Sequence, residues 1–331
     1  MNEIADTGSP QPAGSQAGQR PEAIKAIAVR HPWRWVSAVV ALAIAADIVY
    51  TFVTAPFMRW DIVGTYLFQF LILRGIVITL ELTVLAMVIG IVLGVVLAVM
   101  RVSVNPVVSW VAWFYIWFFR GTPVLVQIFF WFNLAIVLPY IGLGIPGTPL
   151  HWQASTNQLI SPLMAALVGL GLNEAAYMSE IARAGIISVE HGQTEAAQAL
   201  GMTRLQVMRR IILPQAIRVI IPPTGNETIG MLKTTSLAFV AAVPELFTRA
   251  EQISASNFAI VEMLIVASLW YLLMTSILTF GQYYLERYFA RGAQRELPPT
   301  PLQRFRRMLV TFHAPPPMPA DLPMTLHREH R

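Results

Sequence analysis

Glu195-Ala-Ala-Gln-Ala-Leu-Gly201-Met-Thr-Arg-Leu-Gln-Val-Met-Arg-Arg-Ile-Ile-Leu-Pro214 is a polar, cap-rich stretch lying between two strongly apolar ones. Its local chemistry divides it into two short helices. Thr194 offers an N-cap hydroxyl, and Glu195 then puts a carboxylate in the positive first turn. Gly201 can take the left-handed conformation that ends this helix. Thr203-Arg204-Leu205-Gln206 is a capping box opening the second. That second helix carries Leu205, Met208, Ile211 and Ile212 at helical spacing, and Pro214 marks the return toward the apolar segment. A short, rigid, capped element of this kind suits transmission of motion between subunits.

The surroundings are those of a membrane protein. Apolar residues make up 56% of the chain and charged residues 12%, against roughly 45–50% and about 25% in an average soluble domain. The first thirty residues lack the apolar core of a cleaved secretory signal, so the first apolar run is expected to remain as a helix. The absence of cysteine excludes disulfides, thiolate metal sites and a cysteine nucleophile. The six histidines are scattered without the i, i+4 spacing of a zinc helix, so no metal site is expected.

A hydrocarbon core about 30 Å thick needs roughly 20 apolar residues in a helix. Six stretches meet that length, near residues 35–57, 75–100, 107–138, 159–182, 216–245 and 258–285. The third carries Arg120-Gly121-Thr122-Pro123, where proline removes a donor and disfavours helix at Thr122, so a break is expected there. The apolar segment Asp61 to Leu73 is too short to span and reads as an external interfacial helix.

The net charge of +5 gathers at the ends of apolar segments, which is the pattern of membrane topology and not of nucleic-acid binding. With the N-terminus inside, Arg20, Lys25, Arg30, Arg34, Arg101, Arg183, Arg204, Arg209, Arg210, Arg218 and the run from Arg287 to Arg331 are cytoplasmic. Only Arg59, Arg74 and Arg249 fall outside, leaving Arg120 and Lys233 within spans. Both termini and the Glu195 segment are therefore expected in the cytoplasm. Residues 1–34 form a polar tail and residues 291–331 a basic, proline-rich one; neither composition buries a core, and both tails read as disordered.

The spacing Glu-Ala-Ala, three residues, Gly, nine residues, Ile, one residue, Leu-Pro resembles, without a gap, the loop that membrane subunits of binding-protein-dependent ABC importers insert into their ATPase. Further pieces narrow the resemblance: Arg120-Gly121-Thr122-Pro123, Ala176-Tyr177-Met178-Ser179-Glu180-Ile181, Gly192-Gln193, Leu213-Pro214-Gln215-Ala216, Pro222-Pro223, Asn226 and Lys233-Thr234-Thr235-Ser236-Leu237. In this order they look like permease subunits of polar-amino-acid importers of the histidine and glutamine type, over about Gly75 to Phe289. The resemblance implies an all-α membrane protein of about six transmembrane helices with the type I ABC importer permease fold. It places the permease domain at 58–290 and a coupling loop at 190–214. The span at 35–57 is extra to the five-helix pattern common in that family.

By the same resemblance, Gly192, Glu195, Ala196, Ala197, Gly201, Leu213 and Pro214 are ATPase-coupling residues. The partners implied are a second permease subunit, identical or homologous, two ABC ATPases, an external solute-binding protein and a polar amino acid delivered across the bacterial inner membrane. A Walker A loop needs Gly-Lys-Ser/Thr, and the only lysines, Lys25 and Lys233, follow Ile24 and Leu232. The chain is thus expected to bind no cofactor and to carry no catalytic residue, with ATP and magnesium held on the partner ATPase.

Polar residues inside spans mark a translocation pathway, since a charge at bilayer depth costs about 2.5–3.5 kcal/mol on insertion scales. Asn226, Gly230 and Lys233 recur at i, i+4, i+7 and share a helix face. Thr234 adjoins them, Glu174 lies in the fourth span, and Pro222, Pro223 and Gly225 loosen the backbone nearby. Lys233 either meets a substrate carboxylate or pairs with Glu81 or Glu227. Glu180 and Arg183 are spaced for a local ion pair. Asp47, in the extra span, reads as a buried, hydrogen-bonded carboxylate. Gly90 and Gly94 form a step that permits close helix packing. A permease for another solute (an opine, taurine or phosphate), a channel and an intramembrane enzyme remain as alternatives.

Overall fold

A computed structural model describes residues 33–143 and 152–290. The expectations for the two tails therefore lie outside the described residues. The chain divides into a unit from Thr51 to Pro298 and another made of Met1–Tyr50 with Pro299–Arg331, of which the described part is most of α1 (Trp33–Val53). Every described side chain of α1 is exposed, Asp47 included, so the buried carboxylate expected there is not seen. Most of its residues are apolar, with Arg34 and Asp47 its charged ones.

The larger unit begins with α2 (Trp60–Leu67) and α3 (Phe70–Arg101). The apolar stretch 61–73 is thus not one interfacial helix. It breaks after Leu67, and its second half starts a helix of 32 residues. Rather than lying free, α2 is fastened to α13 (Ile260–Ala290). Trp270 Nε1 donates to Leu67 O at 2.8 Å, and Arg59 Nε donates to Glu262 Oε1 at 3.0 Å.

The third segment is α4 (Pro106–Gly121), α5 (Val124–Phe132) and the single turn α6 (Leu134–Val137). Its break falls at Thr122-Pro123 as expected, and α5 leaves α4 at 99°. Gln127 secures the corner, donating from Nε2 to Phe119 O and to both oxygens of Thr122. A two-stranded antiparallel hairpin, β1 (Tyr140–Leu143) with β2 (Trp152–Ser155), then pairs Tyr140 with Ser155 and Leu143 with Trp152. Nothing in the loop composition had pointed to strands. After α7 (Thr156–Leu159) come α8 (Pro162–Ile187), α9 (His191–Ala199) and α10 (Arg204–Val207). A π-helical turn (Met208–Ile212), α11 (Leu213–Thr234), a 3-10 turn (Thr235–Ala241) and α12 (Leu246–Asn257) lead to α13.

Among the described residues, three helices are long and apolar enough to cross a membrane, α1, α3 and α13, together with two bent pairs. The fourth expected span, α8, is about 39 Å long at helical rise but is not among them, because Glu174, Glu180, Arg183 and a series of small residues lower its hydropathy. Its position explains this composition. It is buried along most of its length against α3, α5 and α11, so its surface meets protein instead of lipid.

The packing of α3 on α8 sets the architecture. A Cβ added at Gly90 would stand 2.4 Å from Glu174 Cγ, and one at Gly94 would stand 2.6 Å from Met178 Cβ, so only glycine lets the backbones approach this closely. The opposite face of α3 exposes Val84, Val88, Val92, Val95 and Val99. Small and polar residues therefore pack inward and branched apolar ones outward, the arrangement favoured where lipid is as apolar as the side chains.

At the far end of α11 the chain turns through Ala242, in the left-handed region with φ 57°, and reaches Glu245, which is 0% exposed. Its Oε1 accepts from Thr248 N at 2.6 Å and Thr248 Oγ1 at 2.8 Å. Its Oε2 accepts from Phe247 N and Tyr271 Oη at 2.9 Å, and from Thr79 Oγ1 at 3.4 Å. One buried carboxylate thereby caps α12 and joins it to α3 and α13. Glu245→Ala would strand these donors, and a loss of about 2–4 kcal/mol is expected from the missing cap and unmet donors. A marked fall in the melting temperature of the purified protein, smaller for Glu245→Gln, checks this.

Candidate functional site

The first helix of the 190–214 element begins earlier than its capping residues suggest. Glu190 occupies the N-cap position without a side-chain bond, and α9 starts at His191. Thr194 is therefore inside the helix, and Glu195 lies past the first turn. The cause is the tight exit from α8, where Ser188 N donates to Ala184 O and Gln193 N to Glu190 O, so helical geometry resumes almost at once. The end of α9 follows the expectation. Gly201 has φ +74°, Met202 N reaches Ala197 O at 3.2 Å, and Gly201 N reaches Gln198 O at 2.9 Å, which is the Schellman pattern that requires a residue tolerant of positive φ. The capping box also forms, with Thr203 N donating to Gln206 Oε1 at 2.8 Å and Gln206 N to Thr203 Oγ1 at 3.4 Å.

The second helix does not stop at Pro214. It passes through the π-helical turn, where Leu213 N donates to Met208 O, and continues as α11. The widened turn accommodates a residue with no N–H, and Gln215 Nε2 bonds Ile211 O at 3.0 Å. The result is one helical arm from Arg204 to Ala241, in place of a short helix ending at a proline.

Within this element Gly192, Glu195 and Ala196 are exposed, Gly201 makes the corner, and Leu213 and Pro214 are exposed on the arm. Ala197 differs. It is 4% exposed and, like Val207, is buried within the element, so it packs the corner instead of offering a surface.

Further along the arm, Pro222 and Pro223 sit inside α11 without ending it. Thr224, Thr228 and Thr234 each return their hydroxyl to the carbonyl four residues back, so they add no unmet polar group. Asn226 Oδ1 accepts from Gln282 Nε2 on α13 at 2.9 Å. Gly230 has open space where a Cβ would stand, and Lys233 is exposed. Neither Glu81 nor Glu227 pairs with Lys233; the ion pairs among the described residues are Arg59–Glu262 and the expected Glu180–Arg183, at 2.6 Å. Glu174 is not on this open face. It is 4% exposed, lies against Gly90 of α3 and leaves Oε1 without a donor.

Residues 90–291 match the family of binding-protein-dependent transport system inner membrane components. The chain belongs to that family. The permease is 48% identical over 290 residues to the arginine transport system permease protein ArgU of Corynebacterium glutamicum, covering 87% of this chain and 89% of that one. It is 36% identical over 168 residues to the glutamine transport system permease protein GlnP of Escherichia coli, covering 51% and 69%. Among solved structures, a chain of an amino acid ABC transporter with histidines aligns at TM-score 0.60 and 34% identity, over 70% of the permease and all of that chain. A chain of the MetNI methionine transporter, at TM-score 0.52 and 19% identity, shares the fold.

Sequence reasoning missed Glu245 with its partners Thr79 and Tyr271, the helix α12, and the π-helical turn. Glutamate is not a favoured N-cap, and its partners come from residues 166 positions before and 26 positions after it, so no local pattern announces them. At Gly201 the pattern was local and legible. Gly201→Val, forced to positive φ, is expected to abolish ATP-driven uptake in reconstituted vesicles, whereas Gly201→Asn retains most of it, since asparagine tolerates the left-handed region.

Proposed function

We propose that the permease forms half of an ATP-driven importer and moves a polar or cationic amino acid across the bacterial inner membrane by alternating access. Two such subunits, identical or homologous, pair above two ATPase chains, and an external solute-binding protein delivers the ligand. The chain itself makes and breaks no bonds. ATP and magnesium sit on the ATPases, and both termini and the 190–214 element lie in the cytoplasm.

The observation that supports this reading most is the unbroken arm from Arg204 to Ala241. The Gly201 corner adjoins one end of it, with Glu195 and Ala196 on α9 just before, and the open Gly230–Lys233 face lies further along. Nucleotide-driven closure of the ATPases would displace the corner, and a continuous helix passes that displacement to the pathway without loss at a loop. Coupling then consists of two arrangements of α11 whose balance is set by nucleotide state. The 48% identity to an arginine transport permease favours a substrate with a cationic side chain, and the similarity to a glutamine permease keeps neutral polar ones in the same class.

Reconstitution with the ATPase and binding protein tests the reading directly. Cysteine placed by Ala196→Cys, on the exposed side of α9, is expected to cross-link to the ATPase, and the complex to take up L-arginine or L-glutamine with ATP. Capture of no ATPase, or uptake independent of ATP, overturns the proposal. Lys233→Ala is expected to slow uptake about tenfold while the cross-link persists, in line with the loss of one charge-assisted contact. Unchanged uptake by that variant would remove Lys233 from the pathway.

A further inference from the structure

Between α4 and α8, and reaching the end of α3, lies a cavity of about 500 Å³ lined by Arg101, Trp113, Trp117, Arg120, Tyr177 and Glu180, within the usual size of small-molecule sites, about 300–1,000 Å³. Arg120 is its least explained member. It is the penultimate residue of α4, just before the 99° break, about 21 Å along the helix from Pro106 at 1.5 Å per residue. A guanidinium remains charged at any physiological pH and does not face lipid at that depth without a heavy penalty. Yet among the described residues Arg120 makes neither an ion pair nor a hydrogen bond. It lies on the face of Tyr177, with the guanidinium carbon 5.2 Å from the ring centre, and Glu227 is near it without reaching ion-pair distance. Stacking of this kind fixes the plane of the group and leaves its N–H edges available for a bidentate acceptor.

The cavity supplies no such acceptor from within. Its carboxylate, Glu180, is already occupied, with Oε2 accepting from Arg183 Nε at 3.2 Å and from a terminal nitrogen at 2.6 Å. At the other end, Arg101 gives one N–H to Ser109 Oγ at 3.0 Å. Trp113 and Trp117 stack with ring centres 6.2 Å apart and their planes 14° from parallel, giving the wall a flat apolar surface. The space thus combines surplus positive charge, an unoccupied bidentate donor and an apolar wall.

We propose that Arg120, held by Tyr177, binds the α-carboxylate of the amino acid in passage. The proposal rests on the importer reading above and adds to it the group that is recognised. A free amino acid fits better than the phosphate of an anionic lipid, because headgroups stay at the bilayer surface while Arg120 stands on the order of 20 Å along α4 from its start.

The cysteine-free sequence permits a direct test. Gly121, beside Arg120 in the same cavity, has open space where a Cβ would stand, so Gly121→Cys is a permissive reporter. In the assembled permease–ATPase complex, L-arginine and L-glutamine are used as probes, and their carboxamides as controls lacking the carboxylate. At least one amino acid is expected to slow labelling by N-ethylmaleimide, and its carboxamide to need about tenfold more for equal protection, the weight of one charge-assisted hydrogen bond. Arg120→Gln in the Gly121→Cys background should erase that difference, and Arg120→Lys should restore part of it. Equal protection by acid and amide, protection that survives Arg120→Gln, or labelling that responds to the vesicle's phosphatidylglycerol content and to neither amino acid would overturn the proposal. So would absence of protection in a complex that transports one of the probes. A complex with no ATP-driven uptake and no Ala196→Cys cross-link would instead overturn the importer reading itself.

Discussion

Close approach of α3 and α8 is the constraint on which the rest depends. In a bilayer the surrounding lipid is as apolar as the side chains, so helices do not associate by expelling water; they associate where backbones come close enough for dense van der Waals contact. Gly90 and Gly94 provide that on α3, where any Cβ would run into Glu174 or Met178. Because α8 is enclosed in this way, it can carry Glu174 and a less apolar composition than its neighbours. α5 and α11 then pack on α8, and the 3-10 turn at the end of α11 packs with them.

The arm is therefore supported along its length but not uniformly. Near its far end Glu245 ties the following chain to α3 and α13 with a full set of donors. Midway, Gln282 Nε2 is within reach of three acceptors, Pro222 O, Asn226 Oδ1 and Glu286 Oε1, while its own Oε1 lacks a donor. An amide has two N–H groups for three acceptors, so this contact is less completely satisfied than the Glu245 cluster. The helix is thus fixed firmly near one end and held less completely in the middle.

Much of this was legible in the chain because the relevant physics is local. The long apolar helices follow from the length a bilayer requires, the break in the third segment from Thr122-Pro123, the corner of the 190–214 element from Gly201, and its second start from the Thr203–Gln206 box. The Glu180–Arg183 pair follows from helical spacing alone. The same local reasoning misplaced the start of α9, where the tight exit from α8 outweighed the capping preference of Thr194. It also ended a helix at Pro214 that a π-helical turn carries through.

What the sequence determined by itself is the membrane class, the long apolar helices and the family, since hydrophobic length and motif spacing are written along one dimension. What only the tertiary structure decided is how polar side chains meet. Asn226 bonds α13, Lys233 stands open, Glu174 faces α3, Ala197 turns inward, and Arg120 lies on Tyr177 at the edge of a cavity. Each of these depends on contacts between residues far apart in the chain, and a helical period states which face a residue occupies but not which neighbour that face will touch.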